Sequence, residues 1–446
     1  MKTLKCYLSK KLVPGCLISL LLISTPLITT FATPHTDENS DYDNHFEYSG
    51  VVLDQKSGTP LEFANFLVIG TNISNVSNKE GEFILKVPKE ISNAKVKVSY
   101  IGYKDMMIPM SSLKFKNSRI NMVPMSVELP VVEVVTKDPY ELIYSVLNNK
   151  AENYIDDKTQ MKAFYRETIK NKRDYVSLAE AVVNVVKEPY TGMNQDYVKL
   201  NQARKKTSYN ESDSLFLKLV GGPINCLKLD VFKNPDLIFT DNMMEKYRLS
   251  YEGATFMDNK LIYIVNFMPR PYQSELLYVG KMYIDAESMA LKSAVFSLNF
   301  KDKTRPTNLF IKDKPSYLKV FPIEANYRID YFQKDGKWYF GYSRIELGFQ
   351  VVKKKVGVKD NFYSTMEMAV INWNNYNKNT AIKYRDRLLP SSPIANRVLG
   401  FTDPDFWGEN NIIEPEKSIQ SAIEKIRQEL DKENLTNADM NIQASK

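Results

Sequence analysis

The chain has 446 residues, of which 60 are basic and 53 acidic, giving a net charge of +7 near pH 7. Hydrophobic residues make up 43% of it and aromatic residues 12%, which is enough for the cores of two to three domains. Four of the lysines lie within the first eleven residues, so the rest of the chain is nearly balanced in charge. Nucleic-acid binding usually needs a concentrated basic face, and we therefore expect no nucleic-acid partner.

Residues 1–32 have the features of a secretory signal peptide. The basic start is followed by an almost continuous apolar run over residues 12–27, and small residues suited to cleavage end at Ala32. Two prolines interrupt the run, which argues against a membrane anchor. We expect cleavage after Ala32, a disordered polar linker over residues 33–45, and export to the periplasm or outer membrane of a Gram-negative bacterium.

The residue types of the commonest catalytic and metal sites are missing from the rest of the chain. The two histidines are His35 and His45, so residues 46–446 contain none. Most nucleophilic triads and most zinc sites need imidazole as base or ligand. Cys226 is the one cysteine beyond the expected signal peptide and cannot form an intramolecular disulfide. The sequence therefore predicts a protein that is not an enzyme and has no catalytic residues, no metal and no cofactor.

Short apolar runs separated by turn residues fill the segment 46–128. In AKVKVSY, for example, Val96 and Val98 alternate with Lys95 and Lys97, as expected for a strand that is buried on one face. Strands of five to seven residues punctuated by glycine, proline and asparagine indicate an antiparallel β-sandwich.

The runs GVVLDQKSGTPLEFANF, NKEGEF and VSYIGYK resemble the carboxypeptidase-regulatory-like domain, a transthyretin-like sandwich. The resemblance covers about residues 46–128 and implies no peptidase activity, since a His-x-x-Glu zinc motif is missing from the rest of the chain. It implies structural positions at tight turns, where glycine or proline is geometrically favoured. These positions are Gly50, Gly58, Pro60, Gly81 and Gly102.

Residues 129–160 are expected to form a linker that contains one helix. Pro139 fits the first turn of this helix, and Asp138 fits its N-cap. Leu142, Val146 and Leu147 follow at helical spacing and would supply its apolar face.

Residues 161–390 return to a strand-rich pattern with hairpin signals, of which Asp335-Gly336 between two aromatic runs is the strongest. The segment SDSLFLKLVGGPINCLKLDVF is ambiguous between helix and strand. The hairpins VGKMYIDAESMALKSAVF and KWYFGYSRIEL resemble those of the lipoprotein-carrier half-barrel, in which a curved antiparallel sheet wraps an apolar groove. The aromatic side chains then either fill a core or line a groove, and the strand period is the same for both.

Residues 391–446 are expected to form a loop followed by an amphipathic helix. Ile419, Ile423 and Ile426 lie on one stripe of this helix, and charged residues fill most of its other faces. The predicted fold class is therefore mainly β, with an N-terminal sandwich, a larger curved antiparallel sheet and few helices.

Glu180 is the one acid inside an apolar strand pattern, YVSLAEAVV, and is the best candidate for a catalytic carboxyl group. Burial would raise its pKa, as a general acid of a glycan hydrolase requires. No second acid can be assigned opposite it, and a strand residue that faces solvent or Arg166 explains it equally well. Acidic clusters near Asp241 and Asp405 lack the spacing of calcium loops and are expected to be surface charge.

The favoured hypothesis is a non-catalytic envelope protein that binds a hydrophobic ligand, a lipid or a protein partner. In this hypothesis the sandwich serves for docking, and the larger β-rich domain holds the ligand. The alternatives are a carboxylate-dependent glycan hydrolase and a structural subunit of an outer-membrane complex. Association with the outer membrane remains open.

Overall fold

The computed structural model describes most of the chain beyond residue 43. The expected signal peptide, most of the expected polar linker and much of the ambiguous segment SDSLFLKLVGG lie outside the described residues. The described residues are 44–91, 93–125, 137–207, 218–219, 222–240, 242–273, 275–300, 310–313, 316–354, 357, 359–389, 394 and 399–444.

Seven short strands near the beginning of the described chain form two small sheets. They are β1 (His45–Asp54), β2 (Asn65–Val68), β3 (Ser74–Val76), β4 (Glu82–Pro88), β5 (Lys95–Ser99), β6 (Met106–Pro109) and β7 (Ser118–Met122). The first sheet has the order β4-β1-β7 and the second β3-β2-β5-β6. The ring centroids of Phe66 and Phe83, one from each sheet, lie 4.5 Å apart in the core between them. This packing confirms the predicted sandwich, except that β1 and β7 pair in parallel rather than antiparallel.

Ten longer strands form one antiparallel sheet, and two short strands, β11 and β16, pair separately. The strands are β8 (Thr159–Asn171), β9 (Asp174–Lys187), β10 (Tyr197–Thr207), β11 (Lys218–Leu219), β12 (Tyr247–Met257), β13 (Lys260–Pro269), β14 (Tyr278–Asp285), β15 (Leu291–Leu298), β16 (Ile311–Asp313), β17 (Leu318–Lys334), β18 (Lys337–Lys353) and β19 (Lys359–Asn375). The large sheet has the order β10-β9-β8-β19-β18-β17-β15-β14-β13-β12. The predicted mainly β fold class is confirmed, whereas the domain boundaries remain a prediction.

The tight hairpins of the large sheet use residues that accept a left-handed backbone. Asp335 and Gly336, with φ of 50° and 78°, join β17 to β18. Asp258 and Asn259, with φ of 55° and 54°, join β12 to β13. Positive φ at both central residues is the type I′ geometry, which matches the twist of the flanking strands.

Helices are few among the described residues. They are α1 (Pro139–Asn148), α2 (Lys150–Asn153), α3 (Pro223–Leu227), α4 (Met243–Lys246) and α5 (Lys417–Ala444). The Asp138 carboxylate accepts a hydrogen bond from the backbone N–H of Tyr140, so α1 begins with the predicted cap. Leu142 and Val146 are buried, but Leu147 is 36% exposed and lies off the apolar face. None of the helices described is long and apolar enough to cross a membrane.

One row of directly paired positions across six neighbouring strands of the large sheet carries charged side chains. Along most of its length the charges alternate in sign, so each carboxylate lies between two guanidinium groups. We call this row the charge ladder. It runs through Arg204 on β10, Glu180 on β9, Arg166 on β8, Glu367 on β19, Arg344 on β18 and Arg328 on β17.

The ladder is hydrogen-bonded and almost completely buried. Glu180 is inaccessible to solvent and accepts hydrogen bonds of 2.7 Å from Arg166 Nε and from Arg204 Nε. Glu367 accepts a hydrogen bond of 2.7 Å from Arg344 Nη1 and lies 3.4 Å from Arg166 Nη1. Because each charge has an opposite partner within hydrogen-bond reach, the cost of removing it from water is offset locally.

The sheet face that carries the ladder is covered by later and earlier parts of the chain. Arg166 Nη2 donates to the carbonyl of Ile413 at 2.7 Å, and Arg204 Nη1 donates to that of Gly400 at 3.1 Å. The sandwich contributes Phe63, whose ring lies between the guanidinium groups of Arg328 and Arg344, at 5.3 and 5.2 Å. The ladder therefore positions both the C-terminal segment and the sandwich.

Helix α5 packs against the same face through its predicted apolar stripe. The buried side chains of this small core are Leu178, Phe401, Ile419, Ile423, Ile426 and Leu430. Leu178 lies two residues before Glu180 on β9 and so points to the ladder face.

Substitution Glu180→Gln should lower the free energy of unfolding by about 3–5 kcal/mol, because it removes the buried carboxylate that two buried guanidinium groups share. Chemical denaturation at pH 7 measures the change. The matched control is Glu252→Gln, which removes a 2.7 Å ion pair with Lys281 between side chains that are 39% and 44% exposed. That control should change stability by less than about 1 kcal/mol. An equally small loss for Glu180→Gln would contradict the structural role of the ladder.

The pH dependence of stability gives a second comparison between wild type and Glu180→Gln. Burial alone would raise the pKa of Glu180, but Arg204 and Arg166 hold that pKa below its usual value of 4.5. A carboxylate of this kind stabilises the fold above its unfolded pKa and loses that effect as the pH falls through its folded pKa. The stability difference between wild type and Glu180→Gln should therefore narrow below pH 4.5, in denaturation curves recorded at decreasing pH.

Substitution Ile423→Ala should lower the free energy of unfolding by about 2–4 kcal/mol, since it opens a cavity between α5 and the ladder face. Thermal unfolding of the full chain measures the loss. Glu424→Ala, at the exposed neighbouring position, is the control and should stay within about 0.5 kcal/mol of wild type. A similar result for both variants would show that α5 does not depend on this contact.

Candidate functional site: the plugged face of the large sheet

The face of the large sheet opposite the ladder is the candidate binding face, because the ladder face is covered by the C-terminal segment and the sandwich. Residues 222–240, which begin with α3, lie against this face, and we call them the plug. Tyr165, next to Arg166 on β8 and thus on the opposite face, accepts a 3.0 Å hydrogen bond from the backbone N–H of Gly222. The buried apolar side chains of the plug include Leu227, Leu229, Val231, Phe232, Ile238 and Phe239.

The plug forms backbone hydrogen bonds among its own residues. Its backbone hydrogen bonds include those from Lys228 to Ile224, from Asp230 to Leu227 and from Asn234 to Asp230, which join residues three or four apart. Its connections to the sheet are made by side chains, through apolar packing and a small number of polar contacts. It forms no strand pairing with the large sheet.

Asp230 is the main polar anchor of the plug. Its carboxylate is fully buried and accepts hydrogen bonds from Lys187 Nζ at 2.6 Å, Tyr190 Oη at 2.7 Å and Tyr331 Oη at 2.8 Å. Lys187 is held by a second carboxylate as well, Asp196, at 2.5 Å. Three donors from β9, β17 and the loop after β9 thus meet one carboxylate of the plug.

The three donors that meet Asp230 keep their protons at neutral pH. Burial by itself would lower the pKa of Lys187, but Asp196 and Asp230 together raise that pKa above its usual value. Burial raises the pKa of Tyr190 and of Tyr331 well above 10, so both hydroxyl groups keep their protons and donate. Lys187 is therefore a charged donor at neutral pH, and the two tyrosines are neutral donors.

Aromatic rings surround the anchor. The ring of Tyr154 lies 4.4 Å from that of Phe232 and 5.2 Å from those of Tyr190 and Tyr331, measured between centroids. The Tyr154 hydroxyl donates to the carbonyl of Leu291 at 2.7 Å. The aromatic side chains around Tyr154 therefore fill a core under the plug. Of the two alternatives that the strand pattern left, a filled core and a lined groove, these rings form the core.

Glu180 does not have the property that a general acid requires. The expectation that burial raises its pKa is wrong, because Arg204 and Arg166 outweigh burial and lower that pKa. The carboxylate stays ionised between two guanidinium groups and has no proton to donate. The alternative interpretation of Glu180 as the partner of Arg166 is confirmed by their 2.7 Å contact.

Two other polar candidates also lack a reactive arrangement. Cys226 is fully buried, and burial raises the pKa of its thiol far above the usual value, so the reactive thiolate does not form. Asp403 accepts a hydrogen bond of 2.9 Å from the backbone N–H of Asp405, which is a local turn contact; Asp241 lies outside the described residues. Over the described ranges, no cluster of three or more His, Cys, Asp or Glu side chains is arranged to hold a metal.

The five residues predicted at turns of the sandwich differ in backbone conformation and in the element that contains them. Gly58, Gly81 and Gly102 have φ of 72°, 72° and 86°, which favours glycine. Pro60 forms an isolated bridge with Leu53. Gly50 lies inside β1 rather than in a turn, because β7 runs so close that a Cβ there would be 2.0 Å from the carbonyl oxygen of Ser118.

The plug anchor was missed by the sequence analysis. Asp230 stands in the apolar run LKLDVF, and Lys187 ends the apolar run AVVNVVK, so both carry the signal that drew attention to Glu180. A single charged residue within an apolar run indicates that its side chain is buried and paired with an opposite charge. Sequence spacing cannot identify the partner, since Lys187 and Asp230 are separated by 43 positions.

Comparison with solved structures gives low similarity. A domain of an outer-membrane lipoprotein-sorting protein from Vibrio parahaemolyticus shows 10% identity over 56% of this chain and 97% of its own, with a TM-score of 0.26. A LolA superfamily protein from Nitrosomonas europaea shows 9% identity over 56% and 99%, with a TM-score of 0.22. A membrane-associated protein of unknown function from Bacteroides fragilis shows 12% identity over 74% and 98%, with a TM-score of 0.15. At these scores the likeness supports no functional assignment.

No curated protein matches the chain at a significant level. The family model of the CarboxypepD_reg-like domain matches residues 48–136. This match agrees with the resemblance found in the sequence and extends eight residues beyond its expected end. The sandwich formed by β1–β7 is therefore a carboxypeptidase-regulatory-like domain.

Proposed function

We propose that this protein is a non-catalytic binding protein of the bacterial cell envelope, whose large sheet accepts an apolar ligand in place of the plug. The observation that carries this proposal is the plug itself. It forms backbone hydrogen bonds among its own residues, packs on the sheet through apolar side chains and places one buried carboxylate, that of Asp230, against Lys187.

The packing of the plug sets the chemistry of a ligand that could replace it. Each fully buried Val, Leu, Ile or Phe side chain contributes about 1.5–3 kcal/mol relative to exposure. A ligand that displaces the plug must cover a comparable apolar area, which favours an acyl chain or an apolar peptide segment. A small polar molecule would leave the aromatic rings around Tyr154 in water.

The anchor favours reversible displacement. The attraction between Lys187 and Asp230 is largely offset by the cost of removing both charges from water, so the pair contributes more to position than to net stability. When the plug leaves, Lys187 keeps Asp196 as a partner, because both carboxylates contact its Nζ atom. The displaced state therefore does not leave a lone buried ammonium group.

Substitution Asp230→Asn should strengthen the binding of a pyrene-labelled fatty acid by about 3–10-fold. Removing the charge weakens the anchor, and the apparent affinity rises with the fraction of molecules whose sheet is open. Fluorescence titration measures the affinity and stoichiometry, and far-UV circular dichroism verifies that the variant is folded.

The matched control is Asp196→Asn, which removes the other carboxylate from Lys187 but leaves the plug anchored. It should not strengthen binding. The proposal fails if neither wild type nor Asp230→Asn binds the fatty acid at a one-to-one ratio, or if both substitutions raise the affinity equally.

Native mass spectrometry of the gently purified protein separates this function from that of a structural subunit. A co-purifying lipid supports the binding role, whereas a stoichiometric protein partner supports the subunit. The apolar stripe of α5, which the subunit hypothesis would use as its contact, is already packed against Leu178 and Phe401.

A further inference from the structure

Strands β17, β18 and β19 extend well beyond the shorter strands of the large sheet. Each of them has 17 residues, whereas β12 to β15 have 8–11. The last pair between β15 and β17 joins Ser297 to Asn326, so residues 318–325 project past it by roughly 26 Å, at about 3.3 Å per residue. Together with the paired residues 347–353 and 359–364, they form a projection that we call the arm.

One row of paired positions across the arm places a lysine on each side of an apolar residue. Val352 on β18 lies directly opposite Lys319 on β17 and Lys359 on β19. It lies an even number of positions after Arg344 on the same strand, so the row points to the ladder face. Neighbouring strands are about 4.8 Å apart, which separates the two lysine positions by roughly 10 Å. Among the described residues, neither lysine forms an ion pair.

The two faces of the arm differ in exposure. On the ladder face, Lys319, Lys359 and Tyr363 are exposed and Val352 is half-buried, so the segments that cover the ladder do not cover these positions. On the opposite face the side chains are buried; they are Leu318, Val320, Phe349, Val351 and Phe362. The arm therefore presents one free surface, and that surface carries the lysines.

The β8–β9 hairpin adds basic side chains next to this row. Lys172 and Arg173 form its tip, and both are exposed. Strand β8 pairs with β19 up to Asn171 and Phe362, so the tip lies beside the arm. Lys172 Nζ lies 3.7 Å from Asp360 Oδ1, but the lysine side chain is 79% exposed, and water screens such a pair.

The connections between strands at the two ends of the large sheet carry opposite excess charge. Hairpins β8–β9, β13–β14 and β18–β19 turn at the arm end, and their described charged residues are Lys172, Arg173, Asp174, Arg270, Glu275, Lys353, Lys354 and Lys359. Hairpins β9–β10, β12–β13, β14–β15 and β17–β18 turn at the other end, with Lys187, Glu188, Asp196, Asp258, Lys260, Asp285, Glu287, Lys334, Asp335 and Lys337. Basic residues predominate at the arm end and acidic residues at the other, which the near balance of the whole chain conceals.

Exposed tyrosines accompany the lysines of the arm. Tyr363 is 41% exposed and lies an even number of positions after Lys359 on β19, so both point to the same face. Tyr317 is 43% exposed, and its carbonyl accepts a 3.0 Å hydrogen bond from the backbone N–H of Lys354, which places it at the β18–β19 turn. Tyrosine is enriched at membrane–water interfaces, because its ring is apolar and its hydroxyl group is polar.

We propose that the arm docks the protein on the surface of an anionic lipid bilayer. Lys172, Lys319 and Lys359 lie against the phosphate groups of the lipids, and Tyr317 and Tyr363 enter the head-group layer. A soluble polyanion would use the lysines but would leave the exposed rings in water. Docking uses no residue of the plug, so it stands or falls separately from the binding of an apolar ligand on the opposite face.

Vesicle flotation of the chain that begins at Thr33, the expected product of signal-peptide cleavage, tests the proposal. The vesicles are phosphatidylcholine with about 30% phosphatidylglycerol, or phosphatidylcholine alone, in about 0.1 M salt. Wild type should bind the anionic vesicles at least about tenfold more tightly than the neutral ones. This binding should fall steeply in about 1 M salt, where the screening length is only about 3 Å.

The double substitution Lys319→Gln with Lys359→Gln should weaken binding to the anionic vesicles by about 25-fold, since each lysine near such a surface contributes about fivefold. Both side chains are exposed, so thermal unfolding should match that of wild type. Titration with the pyrene-labelled fatty acid should also give the wild-type affinity, because the substitutions lie on the face opposite the plug.

The matched control is Lys334→Gln with Lys337→Gln, which removes the same charge from the other end of β17 and β18. It should bind the anionic vesicles within about twofold of wild type. The proposal is overturned if wild type binds neutral vesicles as tightly as anionic ones, or if the two double variants lose the same affinity. Binding of dextran sulfate without binding of anionic vesicles would identify a soluble polyanion as the partner and would also overturn it.

Discussion

Glu180 accepts hydrogen bonds from Arg166 and Arg204 at a point of the large sheet that solvent does not reach, and the rest of the structure is arranged around this contact. Guanidinium groups buried on a sheet need acceptors in every direction in which they carry N–H groups. The neighbouring strands supply carboxylates, and the C-terminal segment supplies backbone carbonyls. The ladder thus couples the order of the strands to the position of segments far away in the chain.

This constraint divides the sheet into two faces with different roles. Around the ladder, one face is committed to contacts within the protein, since the sandwich, the C-terminal segment and α5 all lie on it. The opposite face is apolar and is covered by a plug with local backbone hydrogen bonds. The two faces of the sheet are therefore held by different contacts: charged hydrogen bonds on the ladder face, and apolar packing with the Asp230 anchor on the other.

The carboxypeptidase-regulatory-like domain is an integral part of this scaffold. Its strand β3 bonds to β19 through Ser74, and Asn75 Nδ2 donates to the carbonyl of Ile412 at 2.7 Å. A domain fixed in this way cannot act as a free spacer.

The sequence by itself determined the strands, their hairpins and the regulatory-like domain, because side-chain alternation and turn residues such as Asp335-Gly336 act over a few neighbouring positions. It also determined that imidazole chemistry is absent after His45. Only the tertiary structure decided that Glu180 is an ionised partner of two arginines, that Asp230 meets Lys187, and which face the plug covers. These features depend on strand register and on contacts between distant segments, and the burial and partners that set a pKa are properties of the assembled fold.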